Sequence, residues 1–154
     1  MDPYQSPTRN ITVAEMPPLR WRRMLVWAVL IFAAAMSIAT ISGLSMAYWP
    51  LYGGSMEEAV ANARLVRRIL YVVVGAFLYW RFAAPIRSRR LLHVVVLYLL
   101  VQLVDMGVMR FFMGATLREL FDVGALGRSL MAAALGYAAA RLGSGPRSAA
   151  LSAR

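Results

Sequence analysis

Residues 24–49 form a run of twenty-six positions without a charged side chain. As an α-helix rising 1.5 Å per residue, such a run is about 39 Å long, more than the roughly 30 Å hydrocarbon core of a bilayer. A backbone in hydrocarbon must satisfy its own N–H and C=O groups, and one helix does so within itself. The run therefore predicts a membrane-spanning helix. Arg20, Arg22 and Arg23 precede it, while Tyr48, Trp49, Pro50 and Tyr52 follow. Aromatic residues favour the membrane–water boundary, and proline ends a helix.

A second apolar run, LLHVVVLYLLVQLVDMGVMRFFMG, covers residues 91–114 and contains Gln102, Asp105 and Arg110. A charged group at bilayer depth costs a few kcal/mol on insertion scales, so Asp105 requires a partner or a use. Two more spans complete the pattern. Residues 65–84 are long enough to cross if Arg67 and Arg68 reach toward one interface, and residues 125–142 are rich in Ala and Gly with Arg128 in the first turn. The predicted fold is all-α: a four-transmembrane-helix bundle with spans at about 24–49, 65–84, 91–113 and 125–142. The flanks, 1–19 and 143–154, carry prolines and a Gly/Ser-rich stretch respectively and are expected to be flexible tails around a membrane domain of residues 20–142.

Local signals place the helix ends. Gly53 and Gly54 make a turn before Ser55-Met-Glu-Glu58, which fits a capping box, and Thr116-Leu-Arg-Glu119 fits a second one opening a short helix before Gly124. Gly114 is expected to end the third span. Small residues recur every fourth position at Ala35, Ala39, Gly43 and Ala47, and again at Ala132, Gly136 and Ala140. Such ladders let helix backbones approach closely; the first suits either a dimer or packing within one bundle, the latter being its expected use, and the second forms another close-packing face.

Composition excludes several functions. The apolar fraction is 60% against roughly 45–50% in soluble domains. The chain has 17 basic residues, all Arg, against 7 acidic ones. These arginines flank apolar runs instead of forming a basic stripe beside aromatics, so they read as topology signals and not as a nucleic-acid surface. No Cys is present, which removes disulfides, thiolate metal sites and Cys nucleophiles. The single His93 cannot build a multi-histidine metal site and is expected at an interface beside Arg89 and Arg90. Met106, Met109 and Met113 read as adaptable packing. No metal, cofactor or nucleophile–base set is expected, and the chain is read as a non-enzyme.

Arginine placement sets the threading. Arg9, Arg20, Arg22, Arg23, Arg81, Arg87, Arg89, Arg90, Arg141, Arg147 and Arg154 fall on one side of the four spans. Arg64, Arg67, Arg68, Arg110, Arg118 and Arg128 fall on the other, together with Glu57, Glu58, Glu119 and Asp122. The positive-inside rule then puts both termini in the cytoplasm, with cytoplasmic arginines against anionic lipid. The opening DPYQSP, residues 2–7, resembles the NPYxxP-like start of many small bacterial inner-membrane proteins of uncharacterised function, with Asp in place of the first Asn. That resemblance implies a multi-pass protein of the bacterial inner membrane and no particular activity.

An intramembrane polar cluster is the candidate site. Adjacent antiparallel spans joined by a short turn place Asp105 and Arg68 at similar height, with Arg64 a turn beyond Arg68, Gln102 a turn from Asp105, and Arg110 and Arg128 near the same boundary. Asp105 is either a structural ion-pair partner for Arg68 or a functional carboxylate lining a polar cavity. Two functions follow. The first is a non-enzymatic accessory or structural subunit, assembled as a homo-oligomer or with another membrane protein. The alternative is a small oligomeric transporter or channel using Asp105 and Gln102 in a polar pathway. Four-span proton-coupled multidrug exporters are the comparison for the latter, but they carry an acid in the first span and this chain has none.

Overall fold

A computed structural model describes residues 21–48, 55–116 and 121–143, and among them every regular element is a helix. Four helices follow one another: α1 (Trp21–Tyr48), α2 (Met56–Ala83), α3 (Arg90–Met113) and α4 (Val123–Gly143). The expected tails, Trp49 to Gly54 and Glu119 lie outside the described residues.

The ends follow local chemistry. Ser55 and Glu58 form the capping box: the Glu58 amide donates to Ser55 Oγ at 3.2 Å, and the Ser55 amide donates to Glu58 Oε2 at 3.3 Å. Helix α2 stops just before Pro85, which has no amide to continue it. Gly114 adopts φ 66°, the left-handed conformation that closes α3, and the Ala115 amide returns to the Met109 carbonyl at 3.0 Å. Asp122 caps α4, its Oδ1 accepting from the Gly124 amide at 2.9 Å. Gly124 therefore lies inside α4 and does not terminate a preceding helix.

Packing follows a ring in the order α1, α2, α4, α3. Helix α2 makes its largest contact with α4, α1 touches α2 and α3, and the sequential neighbours α2 and α3 lie nearly across the diagonal. Short loops fix antiparallel direction, so α2 and α4 run parallel, as do α1 and α3. Their seam is tight: a Cβ built on Gly136 would meet Tyr79 Cβ at 2.5 Å, the Ala76 carbonyl oxygen at 2.6 Å and the Trp80 nitrogen at 2.8 Å. Ala132, Ala133 and Ala140 are buried with Gly136 along this line, so the small residues of α4 serve packing within the bundle.

The ladder of α1 behaves differently from its expectation. The buried line on α1 is Met24, Ala28, Ile31, Ala35, Ile38 and Ser42. These residues alternate steps of four and three, the spacing of a helix packed against near-parallel neighbours. Ala35 belongs to this line, Ala39 is half-buried, and Gly43 is exposed with nothing within 4 Å of a built Cβ. The α1 neighbours α2 and α3 bury the 3-4 line, and the i+4 line of small residues leaves it after Ala39, with Gly43 and Ala47 exposed.

One half of the bundle is closed. It contains the start of α1, the end of α2, the start of α3 and the end of α4, with Tyr79, Phe82, Met24 and Leu97 fully buried among Ala28, Val94, Ala83 and Ala133. Phe82 meets Trp27 edge-on at 6.0 Å, and the Arg23 guanidinium lies 5.6 Å from the Phe82 ring centre. Two arginines bond backbone at this end: Arg23 Nη2 donates to the Phe82 carbonyl at 3.2 Å, and Arg90 Nη1 donates to the Ala140 carbonyl at 2.7 Å. Both bonds join elements far apart in sequence, so these side chains tie helix termini together.

Helices α1, α3 and α4 are long and apolar enough to cross a membrane. Helix α2 falls outside that set, because Glu57, Glu58, Arg64, Arg67 and Arg68 crowd its first half. The exterior is apolar over most of its length, with Val26, Val29, Ile41, Val73, Phe77, Leu99 and Leu103 exposed. A surface of that kind faces hydrocarbon or a partner, not water.

Candidate functional site

The opposite half of the bundle is open. There all four helices separate around a vestibule of about 540 Å³. Helix α2 contributes Arg64, Arg67, Arg68 and Tyr71, α3 contributes Gln102, Asp105, Met106 and Met109, and α4 contributes Gly124, Ala125, Leu126 and Arg128. Ala35, Met36 and Ala39 of α1 form its apolar wall, and Asp122 stands at the rim. A smaller cavity of about 30 Å³ shares Tyr71, Gln102 and Asp105 with it and reaches Phe32, Val101 and Ser129. Beneath lies the closed core, so the vestibule ends blindly inside the bundle.

The lining follows from helix periodicity. Arg64, Arg67, Arg68 and Tyr71 recur at three- and four-residue steps, and so do Gln102, Asp105, Met106 and Met109; each set is one helix face. Gln102 has a partner that bridges α3 and α4: its amide nitrogen donates to Ser129 Oγ at 2.6 Å. Tyr71 lies within electrostatic reach of Asp105, Arg67 and Arg128 together, which places it among charges from three helices.

The expected Asp105–Arg68 ion pair is not formed among the described residues. The topology explains why. A short turn holds the ends of α2 and α3 together, but α4 packs against α2 and α1 against α3, so Arg68 and Asp105 line the same vestibule from helices that make little contact with each other. Arg64 lines the same wall as Arg68. Arg110 stands apart: it is exposed, and its Nη1 donates to the Ala115 carbonyl at 3.2 Å, closing the end of α3. His93 is half-buried in the first turn of α3, where Nδ1 lies 3.0 Å from the Arg89 carbonyl oxygen. Among the described residues, no group of three or more His, Cys, Asp or Glu side chains is arranged to hold a metal ion.

Four lining residues carry more than the sequence suggested. They are Arg67 and Tyr71 of α2, Asp122 before α4 and Ser129 of α4. Tyr71 was detectable, since it sits one turn beyond Arg67 and Arg68 on the same face.

The chain matches no protein-family model, and neither a curated protein nor a solved structure matches it.

Proposed function

We propose that this is a non-enzymatic multi-pass membrane protein whose working part is the vestibule, a one-ended pocket that holds a ligand between four helices. The observation that supports this reading is the inverted polarity of the open half. Apolar residues cover most of the outside while the exposed Arg64, Arg67 and Arg68 and the half-buried Gln102, Asp105 and Arg128 line one common space. Polar groups gathered inside a lipid-facing bundle mark ligand and ion pathways, because their desolvation is otherwise unrewarded. In this reading α2 is the fourth span, its arginines accommodated by the vestibule and the nearby interface. Both termini lie in the cytoplasm of a bacterial cell, the vestibule opens away from it, and the cytoplasmic arginines meet anionic lipid. The closed core blocks a continuous pore within one chain, so transport requires the closed half to open.

A second reading, an accessory or structural subunit, draws on the other side of the molecule. Gly43 and Ala47 leave an exposed small-residue strip on α1, to which a helix of a partner or of a second copy could pack. Native mass spectrometry of the protein extracted from its own membrane in mild detergent separates the two. Retention of a small molecule that is lost on substituting vestibule residues supports the pocket. A stoichiometric foreign subunit, with nothing held in the vestibule, replaces it with the accessory role.

A further inference from the structure

We infer that the vestibule takes a phosphate group, held between the arginines of α2 and Arg128 of α4; this rests on the reading of the vestibule as a ligand pocket. Four guanidinium groups, on Arg64, Arg67, Arg68 and Arg128, meet two carboxylates, on Asp105 and Asp122, which leaves a formal charge of +2. Asp122 is already engaged as the cap of α4, accepting from the Gly124 amide. Among the described residues Asp105 and Asp122 are the acids lining the vestibule, and Asp105 forms no ion pair with the arginines. Cations gathered at a partly apolar cavity are stabilised by an anion, and among the described lining residues the carboxylates are fewer than the guanidinium groups.

The form of the positive charge selects the anion. Guanidinium is a planar fork of N–H donors that matches phosphate oxygens in pairs. Guanidinium groups of two helices line this space, which suits a group with three or four oxygens spread around one centre better than the two oxygens of a carboxylate. Tyr71, within reach of the charges on Arg67 and Arg128, places a hydroxyl in the same region. The wall given by Ala35, Met36 and Ala39 of α1 is apolar, while Met106 and Met109 of α3 stand beside Asp105. A volume of about 540 Å³ holds a phosphate together with a glycerol-sized substituent, leaving that wall for the apolar part of an amphiphile.

The test measures binding to the full chain in a zwitterionic detergent-free nanodisc by thermal shift and calorimetry. The probes are dihexanoyl phosphatidic acid, glycerol phosphate, hexanoate and tetraethylammonium. The expected result is binding of the phosphate probes at least about tenfold tighter than hexanoate or tetraethylammonium, weakened about tenfold by Arg68→Gln and by Arg128→Gln, as for loss of one charge-assisted hydrogen bond. Asp105→Asn is expected to tighten phosphate binding by removing the opposing charge, where a cation site would weaken. Arg68→Lys keeps the charge without the fork and is expected to recover part of the loss. A phosphatidic acid preference of about tenfold over glycerol phosphate identifies a lipid headgroup; equal affinities identify a soluble phosphate ester. Equal or tighter binding of hexanoate or tetraethylammonium overturns the inference, as does phosphate binding indifferent to both Arg→Gln changes. Absence of phosphate binding also overturns it. A cysteine placed at Met106 then separates the levels: if water-soluble thiol reagents still reach it, only the phosphate assignment falls, and if they do not, the pocket reading falls with it.

Discussion

The closed and open halves of this bundle are made by the same four helices, and arginine has opposite work in each. In the closed half Arg23 and Arg90 reach backbone carbonyls of Phe82 and Ala140, and the space between helices is filled by Tyr79, Phe82, Met24 and Leu97. In the open half Arg64, Arg67, Arg68 and Arg128 line a cavity together with Gln102, Asp105 and apolar residues of α1 and α3. Side-chain volume decides the difference. Where α4 presents Gly136 to the backbone of α2, the helices approach until a methyl group no longer fits. Beyond Ser129 toward the start of α4 the inward positions carry Ala125 and Arg128, which cannot fill the centre and keep α2, α3 and α4 apart. Stability and function are accordingly expected to separate along the bundle axis.

Substitutions can break that separation, and the largest effect is expected at the closest seam. Gly136→Leu places a branched side chain against Tyr79 Cβ and the Ala76 carbonyl, and is expected to cost about 3 kcal/mol or more, read as loss of folded protein in denaturant titrations in micelles. Phe82→Ala removes a fully buried ring that also contacts Trp27 and Arg23; it is expected to cost about 3–5 kcal/mol in the same titration. The open half responds less. Gln102→Ala loses the bond to Ser129 that links α3 and α4, and about 1 kcal/mol is expected, since hydrogen bonds between membrane helices are worth about 0.6 on average and under 2 at most. Asp105→Asn is expected to change stability by less than about 1 kcal/mol, because no ion pair is broken; a buried pair losing one partner costs about 3–5. A large loss with Asp105→Asn would show that the carboxylate is a structural strut and would erase the division between the halves.

Much of this arrangement is legible in the letters, for reasons that differ by feature. The four helices and their caps depend on local chemistry: Ser55 with Glu58, Gly114 and Pro85 each act within one turn of their own position. The polar residues Gln102, Asp105, Arg64 and Arg68 are conspicuous because hydrocarbon-length runs rarely tolerate them. The ring order is not legible. A turn between α2 and α3 sets which ends are close and leaves open which faces meet, so the letters leave both alternatives for Asp105 standing, a direct pair with Arg68 and a carboxylate lining a cavity. Helix α1 is apolar on every side, and nothing in its own sequence distinguishes the buried Ile31 and Ile38 from the exposed Val29 and Ile41. Tyr71 and Ser129 were inconspicuous because both residue types are at home in apolar helices, and their part emerges only when α3 and α4 are placed opposite each other.

The most direct measurement uses the absence of cysteine in the chain, which makes single-cysteine variants free of background. Met106→Cys places a thiol in the vestibule, and Leu97→Cys places one in the closed core. Both would be reacted with a membrane-impermeant maleimide after reconstitution in lipid vesicles, because a thiol must ionise in water to react. The expected result is prompt labelling at position 106 and no labelling at position 97 until the protein is unfolded. Equal protection at both positions would mean that the open half is filled or closed in the membrane, and the vestibule would lose its claim to be the working part of the molecule.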